Sequence, residues 1–180
     1  ELNRLLPQES NSGAESTNPY TYGDWQPLGE SYTPQRFTVF LLRTKNYEFP
    51  KIRVNPERVV LRTQNRRTYE ALDILRLGEY FRAHAQAWAG NAFRRYRASQ
   101  EALRRTVYRG DMIFSGQEDE GYIVFEALPP DVTHFSVTLE DVALRFNYAD
   151  EPVETTRVTY QFEREIFSGY QPPAEETVAQ

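Results

Sequence analysis

The stretch Arg36-Phe37-Thr38-Val39-Phe40-Leu41-Leu42-Arg43 decides how this chain reads. Between two arginines, Thr38 is the one polar residue, so Phe37, Val39 and Leu41 would line one side of a strand and Thr38, Phe40 and Leu42 the other. A strand with one wet face alternates apolar and polar residues; near-continuous apolarity describes a strand covered on both faces. The reading predicts a central strand here.

Downstream, Pro50 and Pro56 punctuate the chain. Residues 57–63 (ERVVLRT) and 67–72 (RTYEAL) then form a plausible hairpin about Gln64-Asn65-Arg66. Residues 121–127 (GYIVFEA) read as a further strand, ended by Pro129-Pro130. Phe135, Val137 and Leu139 alternate with Ser136, Thr138 and Glu140. Past Glu140-Asp141 the alternation resumes with Val142, Leu144, Phe146 and Tyr148 against Ala143, Arg145 and Asn147. Val158, Tyr160 and Phe162 alternate with Arg157, Thr159, Gln161 and Glu163. These are half-buried antiparallel strands. About seven short strands with polar turns predict a mainly β chain, an immunoglobulin-like antiparallel β-sandwich without the Cys and Trp hallmarks of antibody domains. Twenty-five aromatic residues in a chain of 180 agree with β-rich packing.

One segment breaks the pattern. Residues 79–109 hold seven arginines (Arg82, Arg94, Arg95, Arg97, Arg104, Arg105, Arg109) against Glu79 and Glu101, a charge of +5 in a chain of net charge −5. The remainder therefore carries −10. Phe81, Ala85, Trp88, Ala92, Tyr96, Ser99 and Leu103 recur by four or three, which predicts a long helical insertion over about residues 79–107 with one apolar stripe. Gly90-Asn91 sits where such a helix would divide in two. Arg94, Arg95, Arg97, Arg104 and Arg105 fall opposite the stripe and are candidate partner contacts. A solvated basic face is the plainer reading, an acidic protein surface the second and an anionic membrane surface the third. Nucleic acid is not expected of a chain with pI about 5.2 and no nucleic-acid module.

Residues 1–35 read as an N-terminal arm and linker, residues 36–167 as the β-sandwich domain with its insertion at 79–109, and residues 168–180 as a polar tail. Tyr20, Tyr22 and Trp25 lie among Gly and Pro in the arm. They either cover an edge of the domain or serve as anchors on another chain. Position 1 is Glu, for which a cleaved export signal is one explanation among several.

Chemistry is sparse. The chain has no cysteine, which excludes disulfides, thiol nucleophiles and zinc–thiolate sites within it. Its two histidines, His84 and His134, have no nucleophile at motif spacing, and no GxSxG, HExxH or P-loop occurs. No catalytic, metal or cofactor residues are expected, and no enzyme. Glu118-Asp119-Glu120 lacks the ligand spacing of a calcium loop and reads as a solvated turn. Arg109-Gly110-Asp111 matches an adhesion tripeptide that chance supplies easily.

From residue 36 to 165, RFTVFLLR, NPERVVLRTQNRRTYEAL and above all GYIVFEALPP give the chain an order of features that resembles immunoglobulin-like domains of bacterial cell-envelope lipoproteins. The resemblance implies an accessory or adhesive part of the envelope with no catalytic residues. Two departures stand out: the lipid-bearing Cys of such a mature N-terminus is missing, and the Arg-rich helix is an insertion. The expectation is a non-enzymatic structural subunit of an extracytoplasmic, membrane-associated assembly. It would hold protein partners through its tails, the aromatic arm and the basic helix. A ligand- or glycan-binding β-sandwich module is the alternative.

Overall fold

The computed structural model describes residues 20, 36–87 and 92–166, and leaves the side chains of 84–87 and 92–95 undescribed. The run that opens at Phe37 becomes β1 (Phe37–Asn46) and pairs antiparallel with β6 (Gln117–Glu126), so that Val39 faces Val124 and Leu41 faces Tyr122. Both faces of this ribbon are covered along its apolar half. Thr38, Phe40 and Leu42 share a face with Ile123 and Phe125. Phe40 meets the rings of Phe125, Phe135 and Phe162 at centroid distances of 5.9, 6.0 and 5.0 Å. On the opposite face, Phe37, Val39, Leu41, Tyr122 and Val124 join Leu77, Phe81, Ala102 and Leu103 in a second apolar cluster.

The first cluster lies between the ribbon and a four-stranded sheet of β3 (Val59–Thr63), β4 (Thr68–Glu70), β7 (His134–Phe146) and β8 (Pro152–Glu163), in the order β4-β3-β7-β8. Val59, Leu61, Phe135, Val137 and Leu139 supply the sheet's side of it. The β3–β4 hairpin turns at Arg66, which takes the left-handed conformation at φ 63°. A short ladder, β2 (Lys51–Ile52) with β5 (Ile113–Phe114), reaches β7 through a bridge from Arg53 to Ala143. Over the described residues the chain is thus mainly β with two α-helices, and the β-rich character is what its alternation predicts.

Three expectations are corrected. The helical segment is two helices, α1 (Ile74–Ala87) and α2 (Ala92–Thr106), not one helix over 79–107. Asp73 caps α1, accepting the Arg76 N–H at 2.7 Å on its carboxylate, so the helix starts five residues before Glu79. Trp88 to Asn91, including Gly90, separates the helices in sequence, and these residues lie outside the described ones. Phe81 and Leu103 do belong to one apolar surface, but each comes from a different helix.

Second, Glu118-Asp119-Glu120 is not a turn. It continues β6, with Glu118 facing Lys45 and Glu120 facing Arg43 across the ribbon at 2.8 and 3.1 Å. Third, residues 134–146 are one strand with a bulge, not two strands. Leu139 pairs with Val158 and Val142 with Thr156, so Glu140 and Asp141 oppose the single residue Arg157. The apolar set shifts there from odd to even positions, and only an extra residue keeps both halves on the core face. Asp141 provides it in the left-handed conformation, φ 58°.

Gly121 is needed for a close approach. A Cβ there would lie 2.6 Å from Tyr108 Cα and 2.7 Å from Tyr108 N, where the backbone after α2 presses onto the ribbon.

Candidate functional site

The chain leaving α2 lies along the outer edge of β6. Val107 bridges Tyr122 in parallel, the Tyr108 N–H donates to the Tyr122 carbonyl at 3.0 Å, and the Leu72 N–H donates to the Val124 carbonyl at 2.8 Å. The segment after β4 and the segment after α2 thus meet the same edge, and a cavity of about 480 Å³ opens beside them. Its walls are chiefly apolar, from Leu72, Val107, Ile123 and Val124, with Glu57, Asp73, Arg104 and Arg109 among the lining. An apolar hollow with a few charged groups is the usual form of a binding site. The Tyr108 phenol in its wall is pushed up to about 12 by burial, partly offset by a hydrogen bond with Thr44 Oγ1, and is neutral at physiological pH.

α2 turns Ala102 and Leu103 into the fold, with the Thr106 hydroxyl buried beside them and donating to the Ala102 carbonyl at 2.8 Å. Arg97, Arg104 and Arg105 are exposed, which fits their expected place opposite the stripe. Arg94 and Arg95 lie on the same helix with side chains outside the described residues. Arg109 follows the helix and donates to the Arg104 carbonyl at 2.6 Å, which ties the two arginines of the cavity together. The last carbonyls of a helix carry partial negative charge, so basic residues are favoured at this end.

The aromatic arm divides. Tyr20 is a core residue, 3% exposed, with its ring edge-on to Tyr122 at 4.8 Å and its hydroxyl 3.1 Å from Thr106 Oγ1. Burial raises its pKa against the opposing effect of the Thr106 hydrogen bond. As an anchor on another chain, Tyr20 is therefore corrected: its ring is spent on the chain's own core, against Tyr122 of β6 and Thr106 of α2. Tyr22 and Trp25 lie outside the described residues.

Of the two histidines, His134 is the one whose side chain is described, and it stands in the open beside a hydroxyl and a carboxylate, not in a cleft. His134 opens β7 on the surface, with Nδ1 2.9 Å from Thr133 Oγ1 and Nε2 3.5 Å from Glu163. The His84 side chain is outside the described residues. Among the described residues no group of three metal-ligating side chains converges, and no helix is long and apolar enough to cross a membrane.

Sequence reading misses the cavity because its walls come from four distant segments, about residues 56–57, 71–74, 104–109 and 122–124. Asp73 before an apolar run was a legible helix start, and Gly121 within a strand was a legible sign of close approach. Comparison of the chain with family models, with curated proteins and with solved structures finds no match.

Proposed function

We propose that this chain is a non-enzymatic, immunoglobulin-like β-sandwich subunit of an extracytoplasmic, membrane-associated assembly, and that it holds a partner protein against α2. The observation that carries the reading is the apolar cavity beside Arg104 and Arg109, continuous in sequence with the exposed arginines of α2. Interfaces draw most of their energy from an apolar or aromatic anchor seated in a pocket, with charge around it setting orientation and encounter rate. A partner with an apolar side chain flanked by carboxylates fits this surface. The sandwich reading is supported by the core shared between the β1–β6 ribbon and the four-stranded sheet. The envelope reading rests on the resemblance of residues 36–165.

The ligand-binding alternative is favoured by the same cavity, whose volume suits a small apolar molecule. A glycan is less well served, because the exposed rings Tyr47, Phe114, Tyr148 and Tyr160 sit on separate elements.

A photo-crosslinking residue at Arg104, in cells that make the protein, tests the proposal. Capture of one defined protein is expected, abolished by Arg97→Glu with Arg105→Glu and by Val107→Trp, which fills the cavity. Capture that ignores both changes would sink it. A small molecule that co-purifies with the unaltered chain, and not with Val107→Trp, would favour the alternative.

A further inference from the structure

The four-stranded sheet ends on β8, and no described residue pairs with its outer side. All of its twelve residues except Val158 and Phe162 are exposed. The direction of its hydrogen-bonding groups follows from the ladder. The Arg164 N–H donates to the Thr133 carbonyl at 2.9 Å, in the register that pairs Phe162 with Phe135 and Tyr160 with Val137. Antiparallel pairing alternates, so residues 158, 160, 162 and 164 turn their N–H and C=O toward β7. Arg157, Thr159, Gln161 and Glu163 turn theirs to the open edge.

Open edges are normally blunted by proline, lysine, bulges or short length. Pro152 and the register shifts all lie at the turn end of β8, opposite residues 139–146. From Val158 to Glu163 the ladder is regular. The charges that flank this stretch are opposite in sign, Arg157 at one end and Glu163 at the other.

We propose that β8 pairs antiparallel with the β8 of a second copy, about a two-fold axis at Tyr160. In that register the outward-turned residues meet one another: Arg157 faces the second copy's Glu163 and Thr159 its Gln161, which allows about eight backbone hydrogen bonds. On the core-facing side Val158 faces Phe162, and Tyr160, half-exposed at 50%, faces its own copy. Arg157 has no hydrogen-bond or ion-pair partner among the described residues, and Glu163 has the His134 ring at 3.5 Å. A register two residues shorter would set Thr159 against itself and leave Arg157 facing Gln161. Two-fold self-complementarity of backbone, charge and apolar side chains selects the second copy as the occupant.

The chain's lack of cysteine makes the test direct. Sedimentation of the full chain over a micromolar concentration series should give a monomer–dimer equilibrium. Tyr160→Cys sits at a non-hydrogen-bonded pair on the axis, where Cα atoms approach to about 4.5 Å, so mild oxidation should give a disulfide-linked dimer. Val153→Cys should not. Gln161→Pro removes an N–H from the open edge without touching the β7 ladder, and should weaken the dimer at least tenfold while unfolding like the unaltered chain. Arg157→Glu should weaken it similarly, and adding Glu163→Arg should restore it. A monomer throughout the series would overturn the proposal, as would a dimer that Tyr160→Cys fails to link. A foreign strand captured on β8 by a chain that stays monomeric would overturn it too.

Discussion

The β1–β6 ribbon and the β7–β8 hairpin are both long antiparallel pairs, but they sit in the fold in opposite ways. β1 and β6 are separated in sequence by the whole helical segment, and their apolar half is buried on both faces. β7 and β8 are neighbours joined by a tight turn, with one face on the core and β8 exposed at the sheet's edge. The difference is written in residue alternation. FTVFLL and YIVF carry apolar residues at consecutive positions, whereas β8 places Val158, Tyr160 and Phe162 at every second one. The period of the apolar pattern reports how many sides of a strand are covered. Burying a phenylalanine or leucine side chain is worth roughly 1.5–3 kcal/mol, so the ribbon is where this chain's stability is concentrated.

Truncation in each region measures that contrast. Phe125 is fully buried, packed on Phe40. Phe125→Ala should cost about 3–5 kcal/mol through lost burial and the cavity it leaves. Tyr160→Ala removes a ring of similar size from β8, half of it already in water, and should cost well under ~1.5 kcal/mol. Urea unfolding at low protein concentration, where self-association does not contribute, checks both. Equal costs would break the comparison.

The bulge offers a smaller effect within the hairpin. Asp141 holds the left-handed conformation and places its carboxylate 3.0 Å from Arg58 Nε, both groups more than half exposed. Asp141→Val puts a β-branched residue there and should cost about 1–2 kcal/mol. Asp141→Gly relieves the backbone while losing a surface ion pair, and should stay within ~0.5 kcal/mol of the parent by the same unfolding measurement. If the two variants behave alike, the ion pair rather than the backbone holds the bulge.

These features also mark how far the sequence could be read. Double-sided burial of β1, the β3–β4 hairpin and both halves of β7 were legible, because each is set by local alternation and turn residues. Continuity of β7 through Glu140-Asp141 was hidden, since two charged residues resemble a turn until β8 supplies the register. The acidic run in β6 was misread for the same reason: Glu118 and Glu120 become strand residues only once Lys45 and Arg43 face them from over seventy residues away. Tyr20 looked like a stray ring among Gly and Pro. Its partners, Tyr122 and Thr106, are remote in sequence and give no local signal. The basic face of α2 was legible as charge, whereas the cavity beside it arises from tertiary contacts alone.

The smallest effect lies at the ribbon's own exposed end, where the apolar pairs give way to charged ones. Glu118 accepts hydrogen bonds from the Lys45 ammonium and the Tyr47 hydroxyl, and both, Lys45 first, hold its carboxyl below the ordinary glutamate range. The folded chain therefore binds this proton less tightly than the unfolded one. Its contribution to stability is present above the unfolded carboxyl's pKa and is lost as pH falls through the lowered folded value. Glu118→Gln keeps the shape and removes the charge. It should lower the thermal midpoint slightly near neutral pH, with the gap to the parent closing as the solution is acidified and shrinking in high salt. A gap that persisted at acid pH would mean that Glu118 acts through shape, not charge. The exposed end of the ribbon would then be held together as its buried half is, by packing.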